Sequence, residues 1–319
     1  MKKAISIVIC LVMVLSFLVA CSNDDGLIKV GIINNPAEES GYRAANVADF
    51  ERVFTEENGY DARTFYSDNH NEQLSAARRF IEEGVNYLLI SAASSDGWDS
   101  VLRSARDANI RVFLFDRMIN VSDDLFIAAV VSDMPRQGDL AVRWLRDQNL
   151  NVYNVVHIQG AMGTDAQMGR TAALDREFAN GTMNKVIQQS AAWSEDEAMR
   201  IVQGVIDSGN PFNVIYAEND GMARGAVTAL TRAGISHGVD REVIIIGFDA
   251  NKWALRELLA GNWNYNGQCS PFQASVIDEK IRILEDGGTI TDKIVLSDEV
   301  GFDARTITQA DIDNFGLGD

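Results

Sequence analysis

The sequence predicts an α/β protein of two doubly wound parallel-sheet lobes joined by a multi-strand hinge. Three observations carry this. Runs rich in Val, Ile and Phe at residues 28–33, 87–90, 112–115, 127–131, 152–158, 212–216 and 243–246 show little alternation with polar residues, which is how strands buried on both faces of a parallel sheet read. Amphipathic stretches of helical spacing lie between them, the alternation that right-handed α/β units produce. More than ten such elements would overfill one open sheet of ordinary size, so the 319 residues divide into two lobes.

The first 26 residues stand apart from the fold. Lys2 and Lys3 precede an almost wholly apolar run over 4–20, and Leu18-Val19-Ala20-Cys21 closes it. That order marks a bacterial lipoprotein signal, with Cys21 lipidated as the mature N-terminus and a polar tether over 22–26. A membrane-spanning helix is the alternative, but the run is at the short end for a span and no basic stop-transfer follows. Of three cysteines, Cys10 leaves with the signal and Cys21 carries lipid. Cys269 then has no disulfide partner and reads as a small packing residue.

Beyond Gly26, Leu74, Ala77 and Ile81 form one helical stripe, with Asn71 as its cap and Gly84 at its end. Trp98, Val101, Leu102 and Ala105 form another, and Met222, Ala226, Leu230 and Ala233 a third before Gly234. The polar connector 116–125 leaves no room for a helix, so the strand at 127–133 reads as a crossing between lobes. A long helix over 271–285 returns to the first lobe. The expected division is 27–133 with 269–291 for the first lobe and 134–268 with 292–319 for the second, the crossings forming a hinge.

The chain carries 28 basic and 46 acidic residues, a formal net charge of −18. Such a surface repels phosphate backbones, which excludes a nucleic-acid partner. His70, His157 and His237 are far apart and share no ligand spacing, so no metal site is expected; His157, inside an apolar strand, reads as a satisfied core residue. No G-x-S-x-G elbow, P-loop or dinucleotide fingerprint occurs, so neither an enzyme nor a cofactor is indicated.

In doubly wound sheets ligands bind beyond the carboxyl ends of the strands. There the sequence places Glu39, Tyr42 and Arg43 after the first strand, Asp116-Arg117, Asp133, Gln159-Gly160 leading to Arg170, Trp193, Glu218-Asn219-Asp220, Asp249 and Gln268. Carboxylates, Arg and Asn take adjacent hydroxyls in bidentate fashion. Aromatic faces cover the C–H side of a sugar ring, with Tyr42, Trp98 and Trp193 as candidates. Each residue also has a plainer role: a strand-end Asp caps the next helix, and Trp98 lies on a core stripe.

The ordered series Glu39-Ser40-Gly41-Tyr42-Arg43, Gly97-Trp98-Asp99, Phe115-Asp116-Arg117, residues 129–133, Gln159-Gly160 with Arg170, residues 216–220 and Gly247-Phe248-Asp249 resembles the sugar-binding proteins of ABC importers of the ribose and galactose type, most nearly the galactofuranose-binding type. The resemblance implies a type I periplasmic binding protein fold that closes on one monosaccharide by hinge motion. By resemblance, Asp116, Arg117, Arg170, Asn219, Asp249 and Gln268 contact sugar hydroxyls. Glu39, Arg43 and Asp133 are further contacts of the galactofuranose type, and Trp193 replaces a ring-stacking Phe. Tyr42 stands where the family has Trp, Glu218 where a His precedes Asn-Asp, and Gln268 where Glu is expected. The implied partners are the sugar, an ABC permease and ATPase, and the membrane through the lipid of Cys21; the protein is a monomer outside the cytoplasm, at the periplasmic face or cell surface.

Two other readings share this cleft. A regulator of the lactose-repressor type would need a helix-turn-helix before the first strand, where the leader stands. A sensor lipoprotein passing a sugar or furanose signal to a chemoreceptor or kinase would look the same. The cleft residues are expected to be separable from the fold: Asp116→Ala or Arg170→Ala should abolish the sugar response and leave the unliganded protein as stable as before.

Overall fold

The computed structural model describes residues 26–318; the leader, Cys21 and residues 22–25 of the tether lie outside the described residues. Ile28–Asn34 (β1) opens the first sheet. Val30 and Ile32 pack with Phe113 and Phe115 on one face, Ile33 with Leu88, Ile90 and Leu114 on the other. Burial of both faces is why the run lacks polar alternation.

Gly41–Val53 (α1), Tyr60–Tyr66 (β2), His70–Glu83 (α2), Tyr87–Ile90 (β3), Asp99–Asp107 (α3), Arg111–Asp116 (β4) and Ala128–Val131 (β5) continue the first lobe. The chain then crosses into Met134–Asp147 (α4), Asn154–Gln159 (β6), Asp165–Asn180 (α5), Asn184–Ser190 (β7), Glu195–Ser208 (α6), Val214–Ala217 (β8), Asp220–Arg232 (α7), Ile244–Asp249 (β9), Lys252–Leu259 (α8) and Tyr265–Gln268 (β10). It returns for Ala274–Glu285 (α9) and Ile294–Leu296 (β11), then crosses a third time to Gly301–Asp303 (β12) and Gln309–Phe315 (α10).

The first sheet runs β11-β5-β4-β3-β1-β2 with every pair parallel. The second runs β12-β10-β9-β8-β6-β7, parallel except for β12 against β10. Position for position the two orders match. Strands β4 and β9 are therefore counterparts, as are α1 and α5, each of which follows the first strand of its lobe.

Three expectations need correction. Residues 292–296 belong with the first lobe, because Ile294, Val295 and Leu296 pair with Ala129, Val130 and Val131; the third crossing comes after Leu296. The α2 cap is Asn69, whose side-chain oxygen accepts the N–H groups of Asn71 at 3.0 Å and Glu72 at 3.3 Å. The returning helix begins at Ala274, three residues beyond Pro271.

Two helical glycines have opposite surroundings. A Cβ on Gly169 in α5 would lie 2.6 Å from the Met134 carbonyl carbon and 2.8 Å from Pro135 N, so this glycine lets α4 and α5 meet. Gly204 in α6 has nothing within 4 Å of that position. Gly169→Ala is expected to destabilise the protein by about 1–3 kcal/mol through overpacking. Gly204→Ala is expected to stabilise it by about 0.5–1 kcal/mol through lost unfolded-state freedom. Denaturant titration of the two variants reads both signs.

Candidate functional site

Asp116 and Asp249 end the counterpart strands β4 and β9, and both leave with left-handed backbone, φ 64° and 105°. For a non-glycine residue that conformation costs about 1–3 kcal/mol and persists where the surroundings dictate it. Each carboxylate faces an arginine from the counterpart helix. Arg43 on α1 donates from Nη2 to Asp116 Oδ2 at 2.5 Å, and Arg170 on α5 from Nη2 to Asp249 Oδ1 at 3.4 Å. The chain has built one arrangement twice.

Around the first pair, Glu39 accepts from Arg43 Nε at 3.1 Å and from Arg117 Nη2 at 3.1 Å. Tyr42 donates its hydroxyl to Asp116 Oδ1 at 2.8 Å, and Ser91 donates to Oδ2 at 2.7 Å. Burial alone would raise both carboxyl pKa values. The guanidiniums of Arg43 and Arg117 overcome it, lowering Glu39 and holding Asp116 at about 2. Two carboxylates and two guanidiniums leave this cluster neutral.

Around the second pair, Arg170 Nε donates to Gln137 Oε1 at 2.9 Å and its Nη1 to the Glu218 carbonyl. The Glu218 carboxylate accepts from Gly160 N at 2.7 Å and Thr171 Oγ1 at 2.6 Å, and meets His157 Nε2 at 2.9 Å. Glu218 is thus a brace under Arg170, with His157 as its partner in the core. Burial pushes the Asp249 carboxyl up to about 8, against the pull of Arg170 and helped by Asp220. Asp220 itself, buried but held by Asn251 and Asn266, rises to about 6.

The lobes are shut over the strand ends. Ser95 N donates to the Gly163 carbonyl at 3.3 Å and Met118 N to Asp165 Oδ2 at 3.0 Å, while Tyr42 packs into the core of the second lobe with Met134, Trp193 and Cys269. Between them lies a small cavity of about 20 Å3, far below the size of an ordinary ligand pocket. Of the residues singled out in the sequence, Glu39, Tyr42, Asp116 and Arg117 border it from the first lobe, and Arg170, Trp193, Asn219 and Asp249 from the second. Trp193 also has left-handed backbone, φ 69°, and its ring lies over Gly160, where a Cβ would stand 1.9 Å from ring carbon Cη2. Its buried indole N–H has no hydrogen-bond partner among the described residues.

Four candidates are placed elsewhere. Trp98 is fully buried in a first-lobe core beside Val101, Leu102 and Ala105, its indole N–H donating to the Ser94 carbonyl at 2.9 Å. Arg43 is fully buried behind the cavity and braces Asp116 and Glu39. Asp133 caps α4 by accepting from Arg136 N at 3.0 Å. Gln268 turns toward the third crossing and accepts from Val300 N at 3.2 Å. Ser40, Met134, Ala166 and Cys269, none of them a site candidate from the sequence, complete the wall, Cys269 having been expected only to pack. Ser40, Met134 and Cys269 are each the immediate neighbour of a named candidate, whereas Ala166 offers no chemical signal.

The expectation that Asp116→Ala or Arg170→Ala leaves the unliganded protein as stable as before also needs revision. Asp116→Ala strands the buried Arg43, a loss of about 3–5 kcal/mol, and Arg170→Ala removes the buried donor to Gln137, the Glu218 carbonyl and Asp249. Opposite shifts make stability depend on pH in two directions. Asp116 is depressed, so its contribution is complete above about pH 4 and is lost as pH falls toward 2. Asp249 is raised, so the folded state holds a proton that the unfolded chain has released, and stability declines as pH rises from about 4 to about 8. Denaturation across that range should show the decline in the parent protein and a flatter profile in Asp249→Asn.

Residues 28–273 match the family model described as periplasmic binding protein domain. The chain is 31% identical to the fructose import binding protein of Bifidobacterium longum, over 98% of this chain and 97% of that protein. It is 30% identical to the galactofuranose-binding protein of Escherichia coli, over 81% and 83%. Among solved structures, a galactofuranose binding protein superimposes with a TM-score of 0.83 at 25% identity, over 90% of this chain and 98% of that one. The arabinose-transporter binding protein of Shewanella, bound to L-arabinofuranose, gives 0.80 at 25% identity, over 87% and 92%. With its paired sheets, its three crossings and its interlobe cavity, the chain belongs to the periplasmic binding protein family, whose members here include sugar import binding proteins.

Proposed function

We propose that this chain is the extracytoplasmic sugar-capturing lipoprotein of an ABC importer. It binds one neutral monosaccharide, a furanose form in particular, between its lobes and performs no chemistry on it. The observation that carries this is the cavity wall: carboxyl groups, guanidiniums, an amide and a tryptophan drawn from both lobes, with the charges of the first-lobe cluster offset in pairs. A neutral polyol both donates and accepts, which suits such a wall. Glu39, Asp116 and Asp249 accept from its hydroxyls, Arg117, Arg170 and Asn219 donate, and the unpartnered indole N–H of Trp193 supplies one more donor. The names of the relatives favour sugars that adopt furanose rings, among them fructose, galactofuranose and arabinofuranose.

Only the shut form brings both halves of the wall together, so a sugar shifts the open–closed population by its greater affinity for that form. The permease and ATPase are the partners that such a binder serves. The leader over 1–20 and Cys21 support a lipid anchor that keeps the domain beside them.

Thermal shift against fructose, galactose, arabinose, ribose and matched sugar acids checks the reading. At a hundredfold excess over Kd, a true ligand adds about 2.7 kcal/mol, and a neutral sugar is expected to do so. A response confined to sugar acids, or to none of them, sinks it. Closure has its own check at Gly41, the start of α1, where a Cβ would stand 1.9 Å from the second lobe's Asn251 Oδ1. The Asn251 amide is fixed by Asp220 at 2.9 Å. Gly41→Ala should therefore weaken sugar binding about tenfold or more, with an unchanged melting temperature before sugar is added.

A further inference from the structure

The three crossings meet at one carboxylate that touches neither the cavity nor an arginine side chain. Glu299 stands on the third crossing, 2% exposed. Its Oε1 accepts from Ser132 Oγ on the first crossing at 2.6 Å and from Ser270 N on the second at 2.7 Å. Its Oε2 accepts from Gln137 Nε2 at 2.6 Å. The same Gln137, on α4, accepts the Arg170 Nε–H through Oε1 at 2.9 Å, and Arg170 borders the cavity.

The chemistry of the ends fixes the middle of this chain. Burial raises the Glu299 carboxyl while the hydrogen bonds from Ser132, Ser270 and Gln137 favour its ionised form; ionised, it only accepts and a guanidinium only donates, so the Gln137 amide has a single orientation that satisfies both. We propose that Glu299 is a positioning residue for Arg170, acting through the Gln137 amide, so that the third crossing sets the direction in which the cavity arginine points. Its other oxygen ties the first and second crossings, so one side chain links hinge geometry to the cavity wall. The proposal rests on Arg170 serving the ligand as described under the proposed function.

Glu299→Gln separates the link to Arg170 from simple bracing of the hinge. The new amide keeps an oxygen for Ser132 and Ser270, but turns an NH2 toward Gln137. The Gln137 amide must then flip, and its own NH2 meets the Arg170 Nε–H. The double variant Glu299→Gln with Gln137→Glu rebuilds the pattern: the amide at 299 donates to the carboxylate at 137, whose second oxygen accepts from Arg170.

The full chain and both variants are titrated calorimetrically with whichever of fructose, galactose, arabinose or ribose gives the largest thermal shift. Solvent exchange of the Arg170 Nε–H is followed by NMR without sugar. Glu299→Gln should weaken binding about tenfold, as for loss of one hydrogen bond to a charged group, and speed the exchange. The double variant should recover affinity to within about threefold of the parent and restore slow exchange. Parent-like affinity and exchange in Glu299→Gln, or no recovery in the double variant, overturns the proposal. If no sugar binds the parent chain, the functional reading fails, and the exchange measurement still decides whether Glu299 orients Arg170.

Discussion

A guanidinium buried against a carboxylate at the end of a strand, once in each lobe, is the constraint from which the rest of the site follows. Neither member tolerates burial alone, so each pair must be braced on every side. Arg43 is surrounded by Glu39, Asn34, Asn46, Ser91 and Asp116, and Arg170 by Gln137, Glu218 and Asp249. The strained backbone at Asp116 and Asp249 is the local cost of aiming these carboxylates. Opposite charges are matched in the first lobe, whereas the proton that Asp249 retains leaves Arg170 only partly offset in the second. The gap between lobes selects by the geometry of donors and acceptors.

The two pairs differ in a way that bears on closure. The first is satisfied inside its own lobe, where Arg43, Tyr42, Ser91 and Arg117 all attend Asp116. The second is looser, with Arg170 3.4 Å from Asp249 and drawn toward Gln137 and Glu218. Asp249 correspondingly sits high in pKa while Asp116 sits low. One lobe presents a finished surface, and the other presents groups whose hydrogen-bonding capacity is less completely used.

Much of this was legible in the sequence, for physical reasons that can be named. The central strands announce themselves because both faces are buried, so β1, β3, β4, β6, β8 and β9 read as apolar runs. Edge strands do not: β2 is Tyr-Asp-Ala-Arg-Thr-Phe-Tyr, half exposed and polar, and β11 has three residues, two of them exposed. Asp116, Arg117 and Asp249 were visible because charge directly after a buried strand is hard to place anywhere except at a strand-end site. Trp98, Asp133 and Gln268 mislead for the converse reason. A tryptophan serves a core as readily as a ring face, and Asp and Gln satisfy main-chain N–H groups as readily as a ligand. What no local pattern could reveal is the polar chain through Gln137 and Glu299, whose members lie 162 residues apart.

The topology carries a consequence for how the molecule is made. Each sheet takes one outer strand from a segment that follows all its other strands in the chain: β11 covers the flank of β5, and β12 that of β10. While the chain is emerging from the ribosome, both flanks stay open, with main-chain groups ready to pair with a neighbouring polypeptide. Neither sheet can be completed until β11 and β12 have been made.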